Sequence, residues 1–164
     1  MNWYLIVKYL HVIAVTITTG GMFARQLVRS MAKKSEDAKA VATLTQVAVR
    51  IDRAMVIPWS NAILPFGVLL ALMMKWPIFG FLQGASQNWL LVSNILLVIM
   101  LSLIPMVFIP HNKNVEKVLQ TALTKGQVTP ELSVALNDRK NAIAHHAEEI
   151  IVLIIAALMI LKPF

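Results

Sequence analysis

Two groups of side chains in this sequence could carry chemistry. The first is Lys8 and His11, three residues apart inside an apolar run near the N-terminus. Residues three apart share a helix face, and an ionisable group within an apolar helix is a functional candidate by default. An imidazole there can bond a neighbour's carbonyl or Asn94, ligate a haem iron, or take part in a proton or ion path. His11, Thr18 and Arg25 are a heptad apart and share roughly one face. Gly20 and Gly21 allow another helix, or a flat cofactor, to come close. The second group is His145-His146-Ala147-Glu148-Glu149. His145 with Glu148 or Glu149, and His146 with Glu149, meet at i,i+3 or i,i+4. With His111 as a third ligand they would suit a mononuclear metal. The reading carried forward is a structural polar network of His145, His146, Glu148, Glu149 and His111. In it Glu148 or Glu149 pairs with Arg25, Arg29 or Arg139.

The elements that position these groups have membrane character. Of 164 residues, 58% are hydrophobic and 14% charged. A soluble domain is nearer half apolar and a quarter charged. Crossing a bilayer core takes about 20 residues of helix, and four stretches reach that length: about 3–23, 54–76, 89–110 and 142–161. The first reads as a retained helix, because Lys8 and His11 interrupt it and basic residues follow it. The expected fold is all-α: one four-helix transmembrane bundle, with helices extended beyond the membrane on one side.

Charge assigns the sides. Of fifteen basic residues, twelve lie between the first and second stretches or between the third and fourth. The 77–88 loop has no charge. The positive-inside rule then puts those two basic loops in the cytoplasm and both termini in the periplasm. Trp3, Tyr4, Trp76 and Trp89 fall at the expected outer interface, as an aromatic belt does. Ser35 is the expected N-cap of an amphipathic helix carrying Val41, Leu44, Val47, Ala48 and Ile51 at helical spacing. Gly126 ends the extension of the third helix, Thr129-Pro130 starts a short one, and Asp138 caps the fourth. Pro58, Pro65 and Pro105 bend their helices; Ser60 and Asn61 between the first two would line any widened cavity.

Depth restricts the haem alternatives. His11 lies about 13 Å in from the outer end at 1.5 Å per residue. His145 and His146 stand at the inner boundary, so they do not share an iron with it. Met100, about 16 Å below the outer end of the third helix, is the second-ligand candidate by level, since thioether opposite His is a known ligation. Lys8 would pair with propionates directed to the outer surface. The candidate cofactor residues are thus His11, Lys8, Met100 and Arg25, for haem b.

The residues also carry a family resemblance. Lys8-Tyr9-Leu10-His11, Thr19-Gly20-Gly21-Met22, Arg25, the Trp opening the third helix and the closing Lys162-Pro163 resemble small bacterial four-helix membrane proteins. One such group is catalogued only as predicted integral membrane proteins of unknown function. More distantly, the first helix resembles that of HemJ-type protoporphyrinogen oxidases and CopD-type copper-resistance proteins. The HemJ likeness implies a haem-ligating role for His11. The Lys that pairs with it there has no counterpart between Trp89 and Pro110.

Composition excludes other classes. With no cysteine, there are no disulfides, thiolate metal sites or cysteine nucleophiles. The helices of the first three stretches hold no carboxylate within the membrane, so a di-metal carboxylate bundle cannot be built. A nucleic-acid partner is not expected, because the net charge of +7 is mixed with acids and lacks aromatic stacking partners. The expectation is a multi-pass protein of the bacterial inner membrane, surrounded by lipid. Its function is a haem b-binding redox or haem-handling role. The alternatives are a non-enzymatic accessory subunit of a larger membrane complex, or homo-oligomer, and a CopD-like metal or small-solute transporter.

Overall fold

The computed structural model describes residues 2–163, and every regular element among them is helical. Helix α1 (Trp3–Lys34) runs unbroken for 32 residues, about 48 Å at the helical rise. It ends at Ser35, and α2 (Ala38–Ile51) turns back antiparallel to it. Asp37, not Ser35, is the N-cap of α2: its carboxylate accepts from the Lys39 and Ala40 amides at 3.0 and 3.3 Å. A charged acceptor with two oxygens serves two orphan donors and suits the positive end of the helix better than a hydroxyl.

From α2 the chain enters the second apolar stretch through a π-helical turn, Asp52–Val56, and continues as α3 (Ile57–Met73). Helix α4 (Trp89–Leu103) is the third apolar stretch. It passes through a second π turn, Ile104–Phe108, into α5 (Ile109–Lys125). Gly126, at φ 71°, ends α5 in the left-handed region where glycine has no steric penalty. The Thr129 hydroxyl caps the short α6 (Pro130–Leu136), and α7 (Arg139–Leu161) begins at the Asp138 cap. Four continuous helical stretches are long and apolar enough to cross a membrane.

The helices are fastened at three levels. At the basic end, Ala38, Val41, Leu119, Ala122 and Leu132 bury a small core between α2, α5 and α6. At the opposite end Ala71, Trp89, Leu90 and Leu158 bury a second one between α3, α4 and α7. Trp89 is only 2% exposed, so it belongs to this core and not to an outward-facing belt. Its indole meets Trp76 edge to face at 5.2 Å, and the Lys162 ammonium lies 3.9 Å over the Trp76 ring. An indole face attracts a cation, and that contact closes the C-terminal end of α7.

Between these cores, α1 packs along α3 and α4 packs along α7. Among the described residues, no position of α4 past Ser93, of α7 between Glu148 and Leu158, or of α3 before Leu70 is fully buried. The third fastening, nearer the basic end, is polar.

Candidate functional site

Five side chains close a ring where α1, the first π turn and α7 meet. Arg25 Nη1 donates to Asp52 Oδ1 at 2.8 Å, and Arg25 Nη2 donates to Glu148 Oε2 at 2.7 Å. Arg29, one turn further along α1, lies 3.6 Å from the other Asp52 oxygen and donates through Nη1 to His145 Nε2. His145 Nδ1 is 3.3 Å from Glu148 Oε2, which returns the ring to Arg25. A guanidinium can only donate, so His145 Nε2 must accept, and its proton sits on Nδ1 facing the carboxylate. The imidazole is therefore neutral, and the ring balances two guanidinium charges against two carboxylates.

Burial makes that balance necessary. The Arg25, Glu148 and His145 side chains are 8%, 11% and 4% exposed. Charges so far from water are tolerated only when paired and hydrogen-bonded. Arginine is the cation that fits, because its planar fork reaches two carboxylates from one centre. The third stretch joins through packing: the Phe108 ring stacks on His145 with centroids 4.4 Å apart and planes 10° from parallel. Every membrane-length helix thus contributes to one site.

The two π turns place the residues that α-helical spacing would not. Asp52 opens the first turn and Phe108 closes the second. Each turn ends two residues before a proline, Pro58 or Pro110, in the shared dipeptide Ile-Pro. A proline ring crowds the carbonyl four residues back and offers it no donor. Widening the preceding turn to π geometry relieves that crowding and rotates the side chains upstream of it. Close approach of α1 completes the arrangement. A Cβ on Gly21 would sit 2.8 Å from Met55 Cβ and 3.0 Å from Val56 Cγ2, both in the first π turn. Gly20, by contrast, faces open space.

The remaining sequence-predicted residues lie elsewhere. His146 and Glu149 form their own pair at 3.4 Å, with the His146 side chain 66% exposed, and take no part in the ring. His111 pairs with Asp138 at 3.4 Å, and Asp138 also accepts from the Lys140 amide at 2.8 Å. No group of three or more His, Asp or Glu residues among the described residues could hold a metal ion. Sequence reasoning missed Asp52, Phe108 and the linking role of Arg29. An Ile-Pro step follows each π turn and is a partial signal for the first two, although a third such step, Ile104-Pro105, follows ordinary α-helix.

His11 stands apart, about 21 Å from Arg25 along α1 at the helical rise. Its Nδ1 donates to the Ile63 carbonyl at 3.1 Å, and its Cε1 lies 3.2 Å from where a Gly67 Cβ would be. Asn94 bonds the Ile78 carbonyl instead, at 3.2 Å. Lys8 is exposed, 5.8 Å from the centre of the Tyr4 ring. Met100 is half-buried on α4, which packs along α7 and shares no substantial interface with α1. Both Nη atoms of Arg25 are engaged in the ring. Lys8 and His11 thus lie about one turn apart on α1 with different partners, and neither Met100 nor Arg25 stands near His11. Asn61 is exposed and Ser60 bonds the Ile57 carbonyl at 3.0 Å. Three buried polar atoms have no hydrogen-bond partner among the described residues: Thr18 Oγ1, Arg25 Nε and Asn141 Oδ1.

Four membrane-length apolar helices whose buried charges gather at one end define an integral membrane protein with four spans. The chain belongs to the family of predicted integral membrane proteins designated DUF2269, whose model matches residues 5–163. That match takes in the whole ring as well as Lys8 and His11. No curated protein and no solved structure matches the chain.

Proposed function

We propose that the protein is a non-enzymatic accessory or assembly subunit of a larger complex in the bacterial inner membrane. In this reading the basic end lies in the cytoplasm and both termini lie in the periplasm. One observation carries the assembly role: the outward stripe of α1 stays apolar and open beyond the ring. Leu27 is 64% and Met31 is 52% exposed. The buried charges of the ring belong at the edge of the hydrocarbon, where ionisable groups become tolerable. Met31 lies about 9 Å past Arg25 along the helix, and the headgroup layer is only about 5–7 Å deep. Lipid tails cover Phe23 but do not reach Met31, so the stripe calls for a protein partner.

The test is size in a mild detergent after expression in a native host. The chain should migrate in an assembly well above its own 18.3 kDa, and Leu27→Asn/Met31→Asn should release it without lowering its melting temperature. A monodisperse single chain with no change in the variant would overturn the assembly reading. Orientation is tested separately. A C-terminal alkaline phosphatase fusion should be active; an inactive one, with an active cytoplasmic reporter at the same point, contradicts the topology.

A second reading, haem b binding at His11, is favoured by one feature. Nδ1 is held by the Ile63 carbonyl, which leaves Nε2 as the basic nitrogen, the tautomer a metal-ligating histidine adopts. His11 would hold the iron and Lys8 would supply a counter-charge for a propionate; bound haem would supply electron transfer or a site for haem handling. The fit is partial, because Met100 and Arg25 stand apart from His11. Protein expressed with added haem should show a Soret band that His11→Ala abolishes. A colourless wild-type protein, or a variant that keeps the band, leaves His11 as a packing residue against Gly67.

A further inference from the structure

The geometry points to His145 as a proton-binding site on the basic side, whose occupancy opens the ring and loosens α7, with α4, from α1. The ring requires His145 to accept from Arg29, and only the neutral imidazole can. A proton taken from water ends on Nε2 and replaces the Arg29 hydrogen bond. Charge then no longer balances: Arg25, Arg29 and the imidazolium face only Asp52 and Glu148.

The five groups re-sort into two sets. The imidazolium remains with Glu148, its neighbour at i,i+3 on α7. Arg25 and Arg29 remain with Asp52, at 2.8 and 3.6 Å. Glu148 then has a counter-ion on its own helix and depends less on Arg25, so the ionic tie between α1 and α7 weakens. The groups facing His145 from each packed element are Arg25 and Arg29 from α1, Asp52 from the first π turn, Glu148 from α7 itself and the non-titrating Phe108 ring. His111, three residues beyond Phe108, is occupied by Asp138.

Two further features fit a ring that opens. Asp52 and Arg29 are its least buried members, at 19% and 20% side-chain exposure, and give water access from that side. Asn141 Oδ1, one turn before His145 on α7, is a buried acceptor without a partner among the described residues. Direct packing between α1 and α7 is slight outside the ring, so the separation pivots about the core of Ala38, Val41, Leu119, Ala122 and Leu132 that joins α2, α5 and α6.

The absence of native cysteine makes the test direct. Spin labels are placed on Lys34→Cys in α1 and Ile143→Cys in α7, both exposed positions, and the distance between them is measured in the full chain. It should be short and narrowly distributed near pH 7.5. On acidification to pH 5 it should lengthen by several ångström. His145→Gln, whose amide can both donate and accept but does not titrate, should hold the short distance at both pH values. His111→Gln and His146→Gln should keep the wild-type response. An unchanged distance in the wild-type ring overturns the proposal, as does a response that persists in His145→Gln or vanishes in either control. Because the isolated chain is measured, failure here leaves the assembly reading untouched, and the controls decide the matter even if His145→Gln does not fold.

Discussion

Arg25→Leu is expected to lower the stability of the purified protein by about 3–5 kcal/mol, the cost of leaving buried charge uncompensated. Arg25 is the only group bonded to both Asp52 and Glu148 among the described residues. Without it Glu148 keeps only a neutral imidazole, and Asp52 keeps the longer Arg29 contact. Thermal unfolding in detergent measures the loss. Arg25→Lys should recover only part of it, because one ammonium cannot reproduce two forked bonds. Arg25→Leu/Arg29→Leu/Asp52→Leu/Glu148→Leu, which removes both charges of each sign, should be far less destabilised than Arg25→Leu alone, since replacing a whole buried ion cluster by apolar residues is often neutral or favourable. A single variant within about 0.5 kcal/mol of wild type, the range of an ordinary surface substitution, would mean that the ring carries no load.

Gly21→Leu is the second large effect. The added Cβ meets backbone-fixed atoms of Met55 and the Val56 methyl at 2.8 and 3.0 Å, so α1 and the first π turn must separate. Overpacking of this kind costs about 1–3 kcal/mol. A further loss follows, because Asp52 lies in the same π turn and moves away from Arg25. Gly20→Leu, one residue earlier but facing open space, should be nearly neutral. Equal melting temperatures for the two variants would show that α1 does not approach the π turn through Gly21.

The fold was legible because a membrane helix advertises itself. The four apolar stretches need only the length of a bilayer to be counted, and Gly126, Thr129 and Asp138 act where their capping chemistry places them. The site was legible in part. Arg25 with Glu148 is among the pairings that the sequence allows, since a buried carboxylate at the start of the last span needs a cation at matching depth. Asp52 was hidden for a physical reason. It sits among basic residues in a stretch that reads as a solvated connection, and only the register of the α1–α2 hairpin turns it toward Arg25. The π turns escape a search based on 3.6-residue periodicity, and Ile-Pro alone does not mark them, since Ile104-Pro105 follows ordinary α-helix. Trp89 misled because an aromatic at an expected interface can serve an outer core as readily as a lipid-facing belt; Trp76, Ala71 and Leu158 decide that, and their proximity is tertiary. Ser35 and Asp37 were two acceptable caps two residues apart, and the charged one holds the helix.

The central claim is that α1 and α7 are joined by a buried ionic ring with Arg25 and Glu148 at its heart. The most direct test is a double-mutant cycle on those two residues, using Arg25→Leu, Glu148→Leu and the pair, with unfolding free energies measured for all four proteins. Groups in one network couple by about 0.5–3 kcal/mol, and the 2.7 Å buried contact places this pair in the upper half of that range, with the double variant much less damaged than the sum of the singles. Additivity within about 0.3–0.5 kcal/mol, as found for distant and independent sites, would contradict the account.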